Sequence, residues 1–328
     1  MNRFFLLTLS LLFPLSMMGQ LPFQKTDVKD VMKKVADWQI AHQKDVKHGA
    51  LDWTNAALYM GMLDWAELAE AEMGDASYYD WLVKLGRRYG WQPDKRMYHA
   101  DDIAVGQVFI DLYNKYKDKN MLYPTQARAE WVVNHPSDGP MDLDYKKRET
   151  LERWTWCDAL YMAPPVYVKL YMLTGDKRFI KFMNKEYKAT YDLLFDKDER
   201  LFYRDSRYLT QKEANGSKVF WGRGNGWVLG GLAEMLQDFP KNDKNRKFYE
   251  NLFITLSARV AELQSTDGFW HASMLDPASY PSPETSATGF IVYALAYGIN
   301  EGLLDKDTYL PIVEKGWKAL VSAVETDG

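Results

Sequence analysis

Cysteine is nearly absent from this 328-residue chain. There is one, Cys157, so no internal disulfide can staple the fold. Histidine is also scarce: His42, His48, His99, His135 and His271 are scattered, with no HExxH and no His/Cys cluster at metal spacing. These gaps predict neither a metal nor another cofactor. An excess of basic charge is missing too. The formal net charge is −4, which argues against a nucleic-acid partner. Beyond the first residues no apolar run is long enough to span a bilayer. Strand-type alternation is weak throughout.

What the chain does have is bulk. Apolar residues make up 47%, aromatics 15%, and there are 12 Trp. Flat rings serve helix packing, and they also cover the C–H face of a sugar. Residues 1–19 pair Arg3 with the run "FFLLTLSLLFPLSMMG", which is interrupted by Pro14 and ends at small Gly19. That pattern predicts a cleaved secretory signal and export, most simply to the periplasm, with one domain over 20–328 and no membrane span in the mature chain.

Helical periodicity dominates. It predicts helices near 27–42, 54–72, 76–89, 101–117, 122–134, 156–174, 177–194, 225–238, 246–264, 285–300 and 306–324. Even-numbered helices start with small and polar residues, as in "DWTNAALYMG", "HADDIAVGQ" and "RGNGWVLGG". Odd-numbered ones are amphipathic and Lys-rich, as in "DKRFIKFMNKEYKATYDLL". Tight joins such as Thr174-Gly175-Asp176 imply antiparallel hairpins. The expectation is all-α: an inner ring of helices inside an outer ring. Six hairpins would close an (α/α)6 barrel, and the pattern stops one inner helix short. The conspicuous motifs all fall at one mouth of that barrel.

"RWTWCDALYMAPP" (153–165) sets Asp158 among Trp154, Trp156, Cys157, Tyr161 and Met162. Apolar company raises a carboxyl pKa, the condition for donating a proton near neutrality, whereas a helix N-terminus would lower it. Pro164 and Pro165 should kink the helix just past its first turn. Cys157 reads as packing rather than a nucleophile, because apolar neighbours raise a thiol pKa. Asp101 and Asp102 offer a second carboxylate beside His99; alone they would read as caps, but with Asp158 they supply the pair that glycoside chemistry needs. "FWGRGNGWVLGG" (220–231) lacks the Lys-Ser/Thr of a phosphate loop. It reads instead as a loop presenting Trp221, Arg223 and Trp227, two rings to flank a sugar and a fork to hold a carboxylate. Trp53 and Asn55, at the start of another inner helix, complete the expected lining.

Taken together, "HADDIAVGQ", "RWTWCDALYMAPP", "GDKRFIKFM", "LFYRDSRY", "FWGRGNGWVLGGLAEML" and "SPETSATGFIVYAL" resemble the unsaturated rhamnogalacturonyl hydrolases. These form glycoside hydrolase family 105, related to the family 88 unsaturated glucuronyl hydrolases. The resemblance runs from about residue 27 to the end. It implies an (α/α)6 barrel that removes a 4,5-unsaturated uronic acid from the non-reducing end of acidic oligosaccharides made by lyases, rhamnogalacturonan fragments first among them. It also implies the chemistry: an acid protonates C4 of the vinyl ether, water adds at C5, and the hemiketal opens with loss of the aglycone, without a metal or a covalent intermediate. Asp158 matches the family's proton donor and Asp101 its second carboxylate, with Asp102 an open alternative. Trp221, Arg223 and Trp227 match cleft positions. Arg204, in "LFYRD", stands where many members carry His, which points toward a different aglycone such as an ulvan or arabinogalactan fragment. Two other readings remain: a conventional glycosidase on saturated glycans, and a non-catalytic sugar-binding protein.

Overall fold

The computed structural model describes residues 23–328, so the expected signal at 1–19 lies outside the described residues. Helices alternate between two rings. The outer ring holds α1 (Lys25–His42), α3 (Ser77–Arg88), α6 (Lys119–Asn134), α9 (Lys177–Leu194), α11 (Arg246–Glu262) and α13 (Lys306–Ser322). The inner ring holds α2 (Trp53–Met73), α4 with α5 (Ala100–Ile103 and Gly106–Tyr116), α7 with α8 (Ala159–Met162 and Pro164–Thr174), α10 (Gly222–Asp238) and α12 (Thr285–Asn300). This is the expected all-α barrel of helical hairpins. Asp52, Asp118, Asp176 and Asp305 cap helix starts with side-chain oxygens, and Gly74 and Gly175 end helices in the left-handed conformation that glycine adopts freely.

Two expected inner helices are broken, each for a readable reason. In 101–117 the carbonyl of Asp102 accepts the N–H of Asp94 at 2.8 Å, so it is diverted from the helix ladder. In 156–174 Pro165 has no N–H to give Tyr161, and the Val166 N–H goes to Ala163. The Gln107 side-chain amide satisfies both orphaned carbonyls, donating to Tyr161 O at 3.1 Å and Met162 O at 3.0 Å. Helix α10 starts earlier than expected, at Gly222. One small hairpin goes beyond the sequence reading: β1 (Phe195–Asp196) pairs antiparallel with β2 (Leu201–Phe202).

Small residues let the inner helices touch backbone to backbone. A Cβ on Gly231 would lie 2.4 Å from Leu160 O and 2.7 Å from Tyr161 Cα, so only glycine admits α7 against α10. Among the described residues no twelfth helix completes the inner ring. Helices α2 and α12 instead flank a groove with cavities of about 590 and 390 Å³ along it.

Candidate active site

Short bridges draw distant loops together at one mouth. Trp156 pairs with Asp205, Trp221 with Ser273, and Trp270 with Glu284. The Cys157 N–H donates to Arg204 O at 2.8 Å, which sets Arg204 beside Asp158. Asn225 clamps β2 to α10, accepting from Phe202 N at 2.8 Å and donating to Phe202 O at 3.1 Å.

Asp158 stands at the start of α7, half-buried on the floor of the mouth. Burial raises its pKa, and the charges of Arg204 and Arg223 act in the opposite direction. Its one side-chain partner is the thiol of Cys157, which donates at 3.3 Å. That thiol is itself held protonated by burial and by the Asp158 charge, as a packing and donating role requires.

Asp101 occupies the first turn of α4, 17% exposed. Burial, and then the charge of Asp158, push it from 3.8 up to about 8, and its Oδ1 has no hydrogen-bond partner. Burial therefore favours the protonated form of Asp101, and the Asp158 charge adds to that. At Asp158 burial outweighs the opposing charges of the two guanidiniums, so its carboxyl is raised as well. His99 caps α4, its Nδ1 accepting from Asp101 N at 3.3 Å, and its ring lies against Trp156. Burial and Arg96 lower its pKa to about 4, so it is a neutral positioning group.

The alternative between Asp101 and Asp102 is decided by Arg96. Asp102 is 3% exposed and takes Arg96 Nε at 3.0 Å, Nη2 at 2.5 Å and the Arg96 backbone N–H at 2.7 Å. Its oxygens hold the 94–102 loop through Arg96.

Trp221 faces the cleft half-buried, with the Arg223 guanidinium 4.4 Å and that of Arg204 5.6 Å from its ring centroid. The sequence suggests a free fork at Arg223. Its Nη1 instead donates to Glu284 Oε1 at 2.9 Å, while its Nε is buried without a partner, and the side chain remains 37% exposed. Trp227, expected as a sugar platform, is 2% exposed and enclosed by Trp53, Tyr161 and Phe290, so it forms the wall behind the cleft. Asn55 spends its amide on Gly49 O at 2.8 Å and orients the α1–α2 connection.

The structure adds residues that the motif reading passes over. Asp205 is fully buried and binds both Arg204 (2.8 Å) and Arg207 (2.8 and 2.9 Å). The order Arg-Asp-Ser-Arg at 204–207 is the available signal. Tyr145 lies under Arg207 at 4.4 Å. Beside Arg204 and Trp221 is a cavity of about 240 Å³, also lined by Tyr208, Glu213, Ser273 and Tyr280. The assembly offers two acids of raised pKa, two cations and an aromatic wall: acid–base chemistry on an anionic sugar.

The chain matches Glycosyl Hydrolase Family 88 over residues 31–328 and belongs to that family. It is a glycoside hydrolase. Among its relatives is the unsaturated 3S-rhamnoglycuronyl hydrolase of Formosa agariphila, 38% identical over 98% of this chain and 88% of the relative. Among solved structures, a family 88 glycosyl hydrolase from Bacteroides vulgatus superposes with a TM-score of 0.80 at 29% identity, covering 92% of this chain and 87% of that one. A protein named as a polysaccharide lyase superposes with a TM-score of 0.82 at 32% identity, covering 92% and 86%.

Proposed function

We propose that the chain removes a 4,5-unsaturated uronic acid from the non-reducing end of a lyase-made acidic oligosaccharide. The observation that carries this reading is the acid pair Asp101–Asp158 with Arg204 and Arg223 close enough to bias Asp158. Burial raises the proton affinity of Asp158 and those cations pull against it. A bound uronate offsets them, so the proton affinity of Asp158 rises as substrate arrives. Asp158 then gives its proton to C4 of the vinyl ether. The positive charge forms at C5, shared with the ring oxygen. Water adds at C5, returns a proton to Asp158, and the hemiketal opens to release the aglycone. Asp101 orients the water.

The aglycone in this proposal is a sulfated rhamnose rather than a rhamnogalacturonan residue. The name of the 38%-identical relative supports this. So does Arg204, which lines the 240 Å³ cavity together with Trp221. Export of the chain by its N-terminal segment belongs to the same proposal, since lyase products form outside the cytoplasm.

The test is ultraviolet absorbance on mixing the protein with lyase digests of several acidic polysaccharides. The vinyl-ether band should fall. A rising band on undigested polymer would assign lyase chemistry, and hydrolysis of saturated oligosaccharides would assign a conventional glycosidase.

A further inference from the structure

A second cavity, about 550 Å³, opens between the α1–α2 connection and the last turns of α3. Its lining includes Lys44, His48, Lys84 and Arg88 together with Trp81 and Tyr89, and among the described residues no carboxylate lines it. Among the described residues Lys44, Lys84 and Arg88 have no salt-bridge partner; Arg88 lies over the Tyr89 ring at 5.6 Å. His48 is 4.0 Å from Asp52. Trp81 is fixed edge-on against buried Tyr59, which leaves its exposed part as a rigid wall. In a chain of net charge −4 this is a local concentration of uncompensated positive charge beside two rings.

Both walls lead to the catalytic mouth. The α1–α2 connection ends at Asp52, the cap of α2, whose charge reaches Asp101. The segment after α3 leads to His99 and Asp101. Cations without counterions attract carboxylate and sulfate groups, and a fixed indole covers a sugar face.

We propose that this rim cavity binds the saturated, polyanionic part of an oligosaccharide, apart from the site that cleaves the unsaturated end. The ligand class rests on the proposed function, whereas the cavity and its charge do not. A sugar chain held at the rim raises the local concentration of its ends near the mouth.

The probe is a sulfated rhamnose–glucuronate tetrasaccharide with a saturated non-reducing end, which the proposed reaction cannot consume. Calorimetry at low salt should detect binding that weakens steeply with salt. Lys84→Glu with Arg88→Glu replaces two attractions by repulsions and should weaken it at least about tenfold. Both residues are exposed on α3, so the variant stays folded and keeps its kcat on an unsaturated disaccharide. Lys84→Arg should retain binding. Absence of binding, binding unaffected by the double reversal, or equal binding of single-stranded DNA would each overturn the proposal. Turnover of the unsaturated disaccharide, measured separately, reports on the catalytic reading alone.

Discussion

Replacing Asp101 by Asn should make the protein more stable and less active. The folded structure holds this carboxyl near 8 instead of the ordinary 3.8, chiefly through burial and then through the Asp158 charge. A carboxyl whose folded pKa is raised binds its proton more tightly in the native state. Its favourable contribution is complete below the unfolded value near 3.8 and is lost as pH rises through about 8. Holding a carboxyl that far from its ordinary value sets an upper bound on the order of 5 kcal/mol, and structural relaxation and water entry reduce this to about 1–3 kcal/mol. Asn has the same shape and no charge, and Oδ1 already lacks a partner, so the exchange strands no new polar group there. Urea denaturation of both proteins at several pH values from roughly 4 to 9 measures the difference. The two curves should nearly meet at the acid end and diverge toward the alkaline end, the variant above, while turnover falls at every pH. A constant offset, or a wild type that gains on the variant as pH rises, would refute the electrostatic account of this pair.

Asp158→Asn should cut kcat by at least ~10² to 10⁴ while leaving substrate binding mostly intact; in the same variant the Asp101 pKa should fall back toward the ordinary carboxylate range, readable by carbon NMR. The wild-type rate should fall on the alkaline side as Asp158 loses its proton, and a profile flat from roughly pH 5 to 8 would contradict this. Arg223→Ala should raise KM for the free uronate far more than for its methyl ester, and Arg223→Lys should restore only part, because Lys cannot reproduce the flat fork that stacks on Trp221 and meets Glu284. Gly231→Ala should destabilise by about 1–3 kcal/mol or more, seen as a lower melting temperature, since its methyl group would meet the α7 backbone.

The ring order and the mouth were legible because they rest on composition. Small residues recur on inner helices and Lys-rich amphipathic stripes on outer ones, and neither pattern depends on exact boundaries. What escaped the sequence depends on contacts between distant segments. The division of labour between adjacent Asp101 and Asp102 is set by Arg96, which reaches only one of them. The pairing of Arg223 with Glu284 joins residues 61 positions apart. Trp227 reads as a sugar platform from spacing alone, yet Trp53, Tyr161 and Phe290 close around it from three other segments. The break after Ile103 was invisible because it arises from a carbonyl taken by Asp94, not from a helix-breaking residue.

The breaks in the inner helices have a consequence for the acids themselves. Aligned peptide units sum along a helix and present a fractional positive charge at its N-terminus, which drives protons off a carboxyl placed there. Asp101 and Asp158 both occupy such a start, yet each heads a segment only four residues long, ended at Ile103 and Met162. The longer segments that follow, α5 and α8, begin beyond the interruption. Each kink thus works as an insulator between the acid and the rest of its helix. Unbroken rods would pull both carboxyls further toward ionisation; interrupted ones weaken that pull and help the cleft keep a proton in hand.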